Sequence, residues 1–314
     1  MRTAAIIPLY NKEAAIARTL RSVLNQTVPV DEIIVVNDGS TDRSEEAARS
    51  VPDPRIRIVT TANSGESCAR NYAASLAERA DVLLLLDADD EWHPRFAETI
   101  LSLLRQFPNA SAAATGYEYM HRDGSVTAPP FCRMKAPGNG VLLTRYFRMA
   151  LEGPPLTSSS VGIYKRIFHE LGGFCQAQRR GMDLAFWTNL ALQAQIAFDP
   201  AILATYHLGA ANRICESVFV DSAPYTCKIL LEHMRSESLS EELRADLAAY
   251  YDWQLFDAAR QNLIAGRPEI ARRVLNRGPK APRRRDLWIV YMALSMLPAS
   301  AFRYLYRGWK RRNA

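Results

Sequence analysis

The sequence predicts an α/β fold, a mostly parallel sheet flanked by helices, with a helical C-terminal appendage. Three observations predict it. Short apolar runs alternate with helical patterns of about ten to fifteen residues through the first 115 positions, the signature of βαβ units. The runs Ile33–Val36 and Val82–Leu86 are apolar without interruption, as in strands covered on both faces. Beyond about residue 215 the strand signals stop and only helical spacing remains.

The elements follow in order. Thr3–Pro8 is a short apolar strand, and Glu13–Leu24 places apolar residues at helical spacing. Glu32–Val36 is a buried strand, Asp42–Ser50 a short polar helix, and Arg55–Thr60 alternates like a strand. Ser67–Arg79 is helical, Val82–Leu86 is a strand, and a helix over 94–107 ends before Pro108. Ala110–Thr115 supplies a fifth strand. Residues 117–157 are rich in Gly and Pro and read as loops around a hairpin and one helix over 142–151. Thr157–Tyr164 is a strand, Lys165–Leu171 a short helix stopped by Gly172-Gly173, and Met182–Gln195 a helix. One or two short strands fall in 196–206, and helices cover 217–235, 240–265 and 268–276. The predicted division is 1–214, a helical appendage over 215–279, and a basic amphipathic segment over 280–314.

Composition narrows the class. The 314 residues are 48% hydrophobic and 23% charged, with 15 glycines and 17 prolines, which excludes collagen-like and disordered chains. Five cysteines stand apart with no CxxC, and the five histidines form no HxxxH pair, so disulfide, zinc-ribbon and zincin readings drop out. Scattered thiols fit a reducing cytoplasm. The N-terminal apolar stretch is too short for a signal-peptide core and reads as the first strand, so a cytoplasmic location is expected.

Charge is concentrated. From Lys280 onward nine basic residues face one acidic residue, Asp286, a balance of +8 in a chain of +6 overall. The body therefore has no basic stripe, and nucleic acid is not an expected partner. The segment Leu287–Phe302 is apolar apart from two serines and Pro298, and arginines and a lysine bracket it. It is short for a membrane span and suits the interface. A peripheral contact of 283–312 with an anionic membrane on the cytoplasmic face is expected, through a face of Leu287, Trp288, Val290, Tyr291, Leu294 and Leu297. A helix docked on the protein's own core is the alternative.

Four loops follow the carboxyl ends of the predicted strands, where open α/β sheets bind ligands. They read Pro8-Leu9-Tyr10-Asn11-Lys12-Glu13, Asn37-Asp38-Gly39-Ser40-Thr41-Asp42, Asn63-Ser64-Gly65-Glu66 leading to Ala69-Arg70-Asn71, and Asp87-Ala88-Asp89-Asp90. No GxGxxG follows a strand and no GxxxxGK[ST] occurs, so the phosphate cradles of dinucleotide enzymes and P-loop ATPases are missing. An acidic cluster stands in their place. Carboxylates two residues apart at a strand end can hold a hard cation whose remaining ligands are substrate phosphates and water. NDGSTD also reads as a turn that caps a helix through Ser40 or Thr41, and the same turn can present Asp38 to an imide N–H.

PLYNKE, VVNDGSTD, the NSGE…ARN segment, LLDADD and a later LGGF, in this order over about residues 3–210, resemble the family 2 inverting glycosyltransferases. The resemblance implies a Rossmann-like GT-A fold and a nucleotide-diphosphate sugar, such as a UDP-sugar, used with Mn²⁺ or Mg²⁺. It implies that Pro8, Tyr10, Asn11 and Glu13 line the nucleoside pocket, with Gly65 and Ala88 beside the donor. Asp38 then meets the uracil N3–H, and Arg70 lies near the ribose or phosphates. Asp87 contacts the ribose or metal side, and Asp89 ligates the metal with His207 near it. In many relatives a Glu-Asp pair follows GGF and its Asp is the catalytic base; here the pair reads Met182-Asp183. Trp92 either packs under the acceptor sugar or belongs to the core. The QxxRW motif of processive synthases is absent, which implies one sugar per visit. The expected acceptor is a glycan or lipid-linked sugar. A catalytically impaired nucleotide-sugar-binding scaffold is the alternative, and a sugar-nucleotide pyrophosphorylase is disfavoured because PLYNKE stands where its Gly-rich loop belongs.

Overall fold

A computed structural model describes residues 1–134, 140–176, 180–209, 224–276, 285–298 and 300–302. The chain divides into two compact units, Met1–Arg213 and Ile214–Ala314. The start of the helix expected from 217 and the outer parts of the basic segment lie outside the described residues.

The first unit is built on one sheet. Its strands are β1 (Thr3–Leu9), β2 (Glu32–Asp38), β3 (Ile56–Thr61), β4 (Val82–Leu85), β5 (Glu91–Trp92), β6 (Ala110–Met120), β7 (Val126–Thr127), β8 (Val141–Leu142), β9 (Val161–Tyr164) and β10 (Gln195–His207). Among the described residues the order is β3-β2-β1-β4-β9-β6-β10-β5, with β7 on β6 and β8 on β10. The pairs β3-β2, β2-β1, β1-β4 and β6-β10 are parallel, whereas β9 runs antiparallel to β4 and β6. Every residue of β1 and β4 is buried, which is why their sequences are apolar but for Thr3 at the start of β1.

The connecting helices are α1 (Ile16–Leu24), α2 (Ser44–Arg49), α3 (Glu66–Leu76) and α4 (Phe96–Gln106), followed by α5 (Tyr146–Met149), α6 (Lys165–Glu170) and α7 (Met182–Gln193). Helix α4 presents Phe96, Ile100, Leu101, Leu103 and Leu104 inward at helical spacing. Where it meets the sheet, a Cβ on Gly162 would lie 2.4 Å from Ile100, so only glycine admits that approach.

Several boundaries differ from the sequence reading. The helix expected over 142–151 shrinks to α5, because 141–142 pairs with β10 instead. The short strands expected over 196–206 are one long strand, irregular around Asp199–Ile202, where Pro200 cannot join the ladder. Neither Ser40 nor Thr41 caps α2: the Ser44 N–H donates to Asp42 at 3.0 Å.

The second unit is helical: α8 (Tyr225–Met234), α9 (Glu241–Ile264), α10 (Pro268–Asn276) and α11 (Arg285–Ser295). Ser240 caps α9 by accepting from the Leu243 N–H at 3.2 Å, and Glu241 and Glu242 sit in the first turn, where the helix dipole favours them. Phe256, Ala259, Leu263, Ala271, Leu275 and Phe302 form the core that α11 joins. Among the described residues no helix is long and apolar enough to cross a membrane.

Candidate active site

The four loops gather at the carboxyl ends of β1 to β4, as parallel pairing of these strands requires. The loop after β1 is stitched to the loop after β2. Asn11, with φ of 50°, accepts from the Thr41 N–H at 2.8 Å, and the Asn11 and Lys12 N–H groups donate to Ser40 and Ser44. Glu13 accepts from the Arg43 N–H at 2.9 Å. Asn11 and Glu13 thus brace two loops against each other. Tyr10 is exposed beside them and Pro8 is buried within β1.

Asp38 ends β2 and is 2% exposed. Its Oδ1 accepts from the Ser64 N–H and hydroxyl at 2.7 and 3.2 Å, and its Oδ2 accepts from the Gly65 N–H at 2.8 Å. A carboxylate offers about four acceptor positions, so one remains, on Oδ2. Gly65, with φ of 95°, is the N-cap of α3.

Arg70, on α3, has a place that the resemblance does not imply. Its side chain is 3% exposed, its Nη2 donates to Glu66 and, at 2.6 Å, to Asp87, and its guanidinium stacks 4.6 Å from the Phe174 ring centroid. Through Nη2 it holds the Asp87 carboxylate in place. Burial pushes the Asp87 carboxyl up, aided by Glu66 and Asp89, against the pull of Arg70.

The turn after β4 is fixed from several sides. Thr19 donates to the Ala88 carbonyl at 3.0 Å and the Asp90 carbonyl at 2.8 Å, and Arg18 donates to the Asp89 carbonyl. Ala88 is buried. Asp90, buried too, accepts from the Ser159 hydroxyl at 2.6 Å and the His207 N–H at 2.9 Å, tying β4, β9 and β10 together. Burial and the charges of Asp89 and Asp87 push its carboxyl well up. The Asp89 carboxylate faces an ammonium: Lys12 Nζ lies 2.8 Å from its Oδ2, with both side chains 14% exposed.

His207 ends β10 near this turn, but its Nε2 lies 2.8 Å from the Glu91 carboxylate. Among the described residues no group of three or more His, Cys, Asp or Glu side chains is arranged to hold a metal. A hard cation of the Mg²⁺ type needs one or two carboxylates and completes its shell from phosphates and water, so Asp89, already facing an ammonium, fits that demand.

Asp183 stands in the first turn of α7 behind Gly181, where the helix dipole favours a carboxylate. Burial pushes its carboxyl above the ordinary value of 3.8, with the charge of Glu66 adding and that of Arg70 opposing. That direction suits a base, since a raised pKa takes up a proton more readily. Met182 is 5% exposed and packs in the core. Trp92 is core as well. Its ring stacks on Phe96 at 4.4 Å and its indole N–H donates to the Ser159 carbonyl at 2.8 Å.

The sequence assigns no individual role to Lys12, Glu66 or Ser159, and includes Asp90 only as a member of the acidic cluster. Lys12 and Asp90 sit inside the PLYNKE and DADD motifs, which is the signal that could have found them. Nothing local marks Ser159.

Residues 4–152 match the family model described as Glycosyl transferase family 2. The chain is 31% identical over 169 residues to the glycosyltransferase YibD of Escherichia coli (strain K12), covering 52% of this chain and 48% of that protein. It is 33% identical over 150 residues to chondroitin synthase of Pasteurella multocida (strain Pm70), covering 46% of this chain and 15% of that one. The chain thus spans half or less of these curated relatives. The structure of S. aureus TarS 1–349 in complex with UDP-GlcNAc aligns with a TM-score of 0.68 at 16% identity, covering 98% of this chain and 92% of that one. With the sheet order, the matched motifs and the family model in agreement, residues 4–152 belong to a glycosyl transferase family 2 domain, and the fold is of the GT-A type.

Proposed function

We propose that this protein is a non-processive inverting glycosyltransferase. It moves one sugar from a UDP-sugar to a hydroxyl of a glycan or lipid-linked acceptor in cell-surface polysaccharide synthesis. The observation that carries the reading is the division of labour among the site carboxylates. Asp38 keeps one acceptor position, Asp89 faces a cation, and Asp183 has its carboxyl raised by burial.

Asp38 receives the uracil N3–H on its remaining lone pair, and Asp89 would hold Mn²⁺ or Mg²⁺, which when bound would supply charge neutralisation for the diphosphate. Asp183 accepts the proton of the acceptor hydroxyl as that oxygen bonds to the anomeric carbon. The bond from that carbon to the diphosphate oxygen breaks on the opposite face, so the configuration inverts. The protein works in the cytoplasm, and its basic C-terminal segment holds it at an anionic membrane surface.

A panel of nucleotide sugars tests the function. Turnover is expected with a UDP-sugar and Mn²⁺. Calorimetry is expected to give UDP tighter than CDP by about 1.5–3 kcal/mol, because cytosine N3 carries no proton and meets the carboxylate with a lone pair. Equal binding of UDP and CDP removes Asp38 from the base. UDP binding without turnover of any sugar favours the impaired scaffold, the reading that the missing Glu at 182 recommends.

Lys12 and a metal compete for one carboxylate. Lys12→Met is therefore expected to tighten Mn²⁺ binding by roughly tenfold, read by electron paramagnetic resonance without nucleotide. Asp89→Asn is expected to abolish it. Unchanged Mn²⁺ affinity in Lys12→Met, with Asp89→Asn still defective, shows that the ammonium does not compete.

A further inference from the structure

Helix α11 is apolar on two sides, and the structure separates them. Leu287, Trp288, Tyr291 and Leu294 pack against the core of the second unit. The Tyr291 ring stacks on Phe256 at 5.6 Å, and the Trp288 indole N–H donates to the Leu275 carbonyl at 3.3 Å. This corrects the single face expected from the sequence. Four of its residues are spent inside the protein, while Val290 points the other way.

The outward side is apolar too. Ile289, Val290 and Ala293 on the helix, and Met296 in the turn that closes it, are exposed at spacings of one, three and three residues, which places them along one stripe. Met296, at 67%, and Ile289, at 61%, are the most exposed large apolar side chains among the described residues. A helix needs one apolar stripe to dock on its own protein; a second one left in water asks for an occupant.

Charge identifies it. In sequence, Arg283-Arg284-Arg285 precede the stripe, and Arg303, Arg307, Lys310, Arg311 and Arg312 follow it, against one carboxylate, Asp286. Cations that flank an exposed apolar stripe in sequence match a surface that is anionic outside and apolar beneath. We propose that the Ile289–Val290–Ala293–Met296 stripe is the part of this protein that enters an anionic lipid surface, while the opposite side of the same helix anchors it to the second unit. The inference deepens the membrane contact of the proposed function. Its test uses neither donor nor acceptor, so failed glycosyl transfer and failed lipid docking remain distinguishable.

The inner side rules out truncation as the test, because removing α11 would uncover Phe256, Leu263 and Leu275. The full chain is floated with vesicles of equal parts phosphatidylglycerol and phosphatidylcholine, and with phosphatidylcholine alone. The wild type is expected to float with the anionic vesicles only, and less as salt rises. A triple variant, Ile289→Ser, Val290→Ser and Met296→Ser, is expected to lose roughly tenfold or more in vesicle affinity. Its thermal midpoint should stay near wild type, because the replaced side chains already face water. Leu287→Ser, on the inner side, is expected to lower the midpoint. Unchanged flotation of the triple variant overturns the proposal, as does equal binding to neutral vesicles or a midpoint lowered as far as in Leu287→Ser. Self-association in sedimentation that the triple variant abolishes, with no flotation of the wild type, assigns the stripe to a second copy and overturns it as well.

Discussion

Asp183→Asn is expected to lower the rate of sugar transfer by about 10² to 10⁴-fold, the range over which a positioned general base contributes, while leaving UDP affinity within about twofold. Asparagine keeps the size and the place in the first turn of α7 but cannot take up the acceptor proton. The pH profile supplies a second readout. Burial raises the Asp183 carboxyl above 3.8, and only its ionised form is a base. Activity should therefore fall as pH drops through that raised value, with the acid limb of kcat/KM lying above pH 3.8. The limb should be missing from the residual activity of Asp183→Asn. Transfer at near wild-type rate in that variant would place the base elsewhere.

Arg70→Met is expected to destabilise the first unit by about 3–5 kcal/mol, the usual loss when one partner of a buried ion pair is removed. Arg70 is 3% exposed and faces Glu66 and Asp87 with its guanidinium over Phe174, so its removal leaves carboxylates without their cation. Urea unfolding measures the loss. Adding Asp87→Asn should recover part of it, since the amide needs no counter-charge. If Arg70 instead served mainly to bind the donor's phosphates, Arg70→Met would weaken UDP binding with little change in stability.

These two residues illustrate how much of the site was legible. Asp183 is legible only through the family resemblance, which places an acidic residue soon after LGGF at the start of a helix. Arg70 was named from its motif, but its partners were not. Asp87 is 17 residues away and reaches it only because β4 ends beside α3. Asp38 likewise occupies the expected place, yet three of its hydrogen bonds go to Ser64 and Gly65, which belong to the loop after the next strand. Trp92, in a polar stretch behind DADD, could equally have faced a sugar. Its packing on Phe96 one turn later decided for the core.

The sequence by itself determined the alternation of strands and helices, the four loops at one edge of the sheet and the helical character of the described residues from 225 onward. Such features are written in periods of two and 3.6 residues and in turn chemistry, which neighbours along the chain impose on one another. Only the tertiary structure decided which charged groups meet. Lys12 and Asp89 lie 77 residues apart, and His207 and Glu91 lie 116 apart. Strand order and register set those pairs, and no local pattern encodes them. The two sides of α11 have the same origin. Both are apolar in sequence, and only the packing of Trp288 and Tyr291 against the second unit distinguishes the side that holds the helix from the side left facing water.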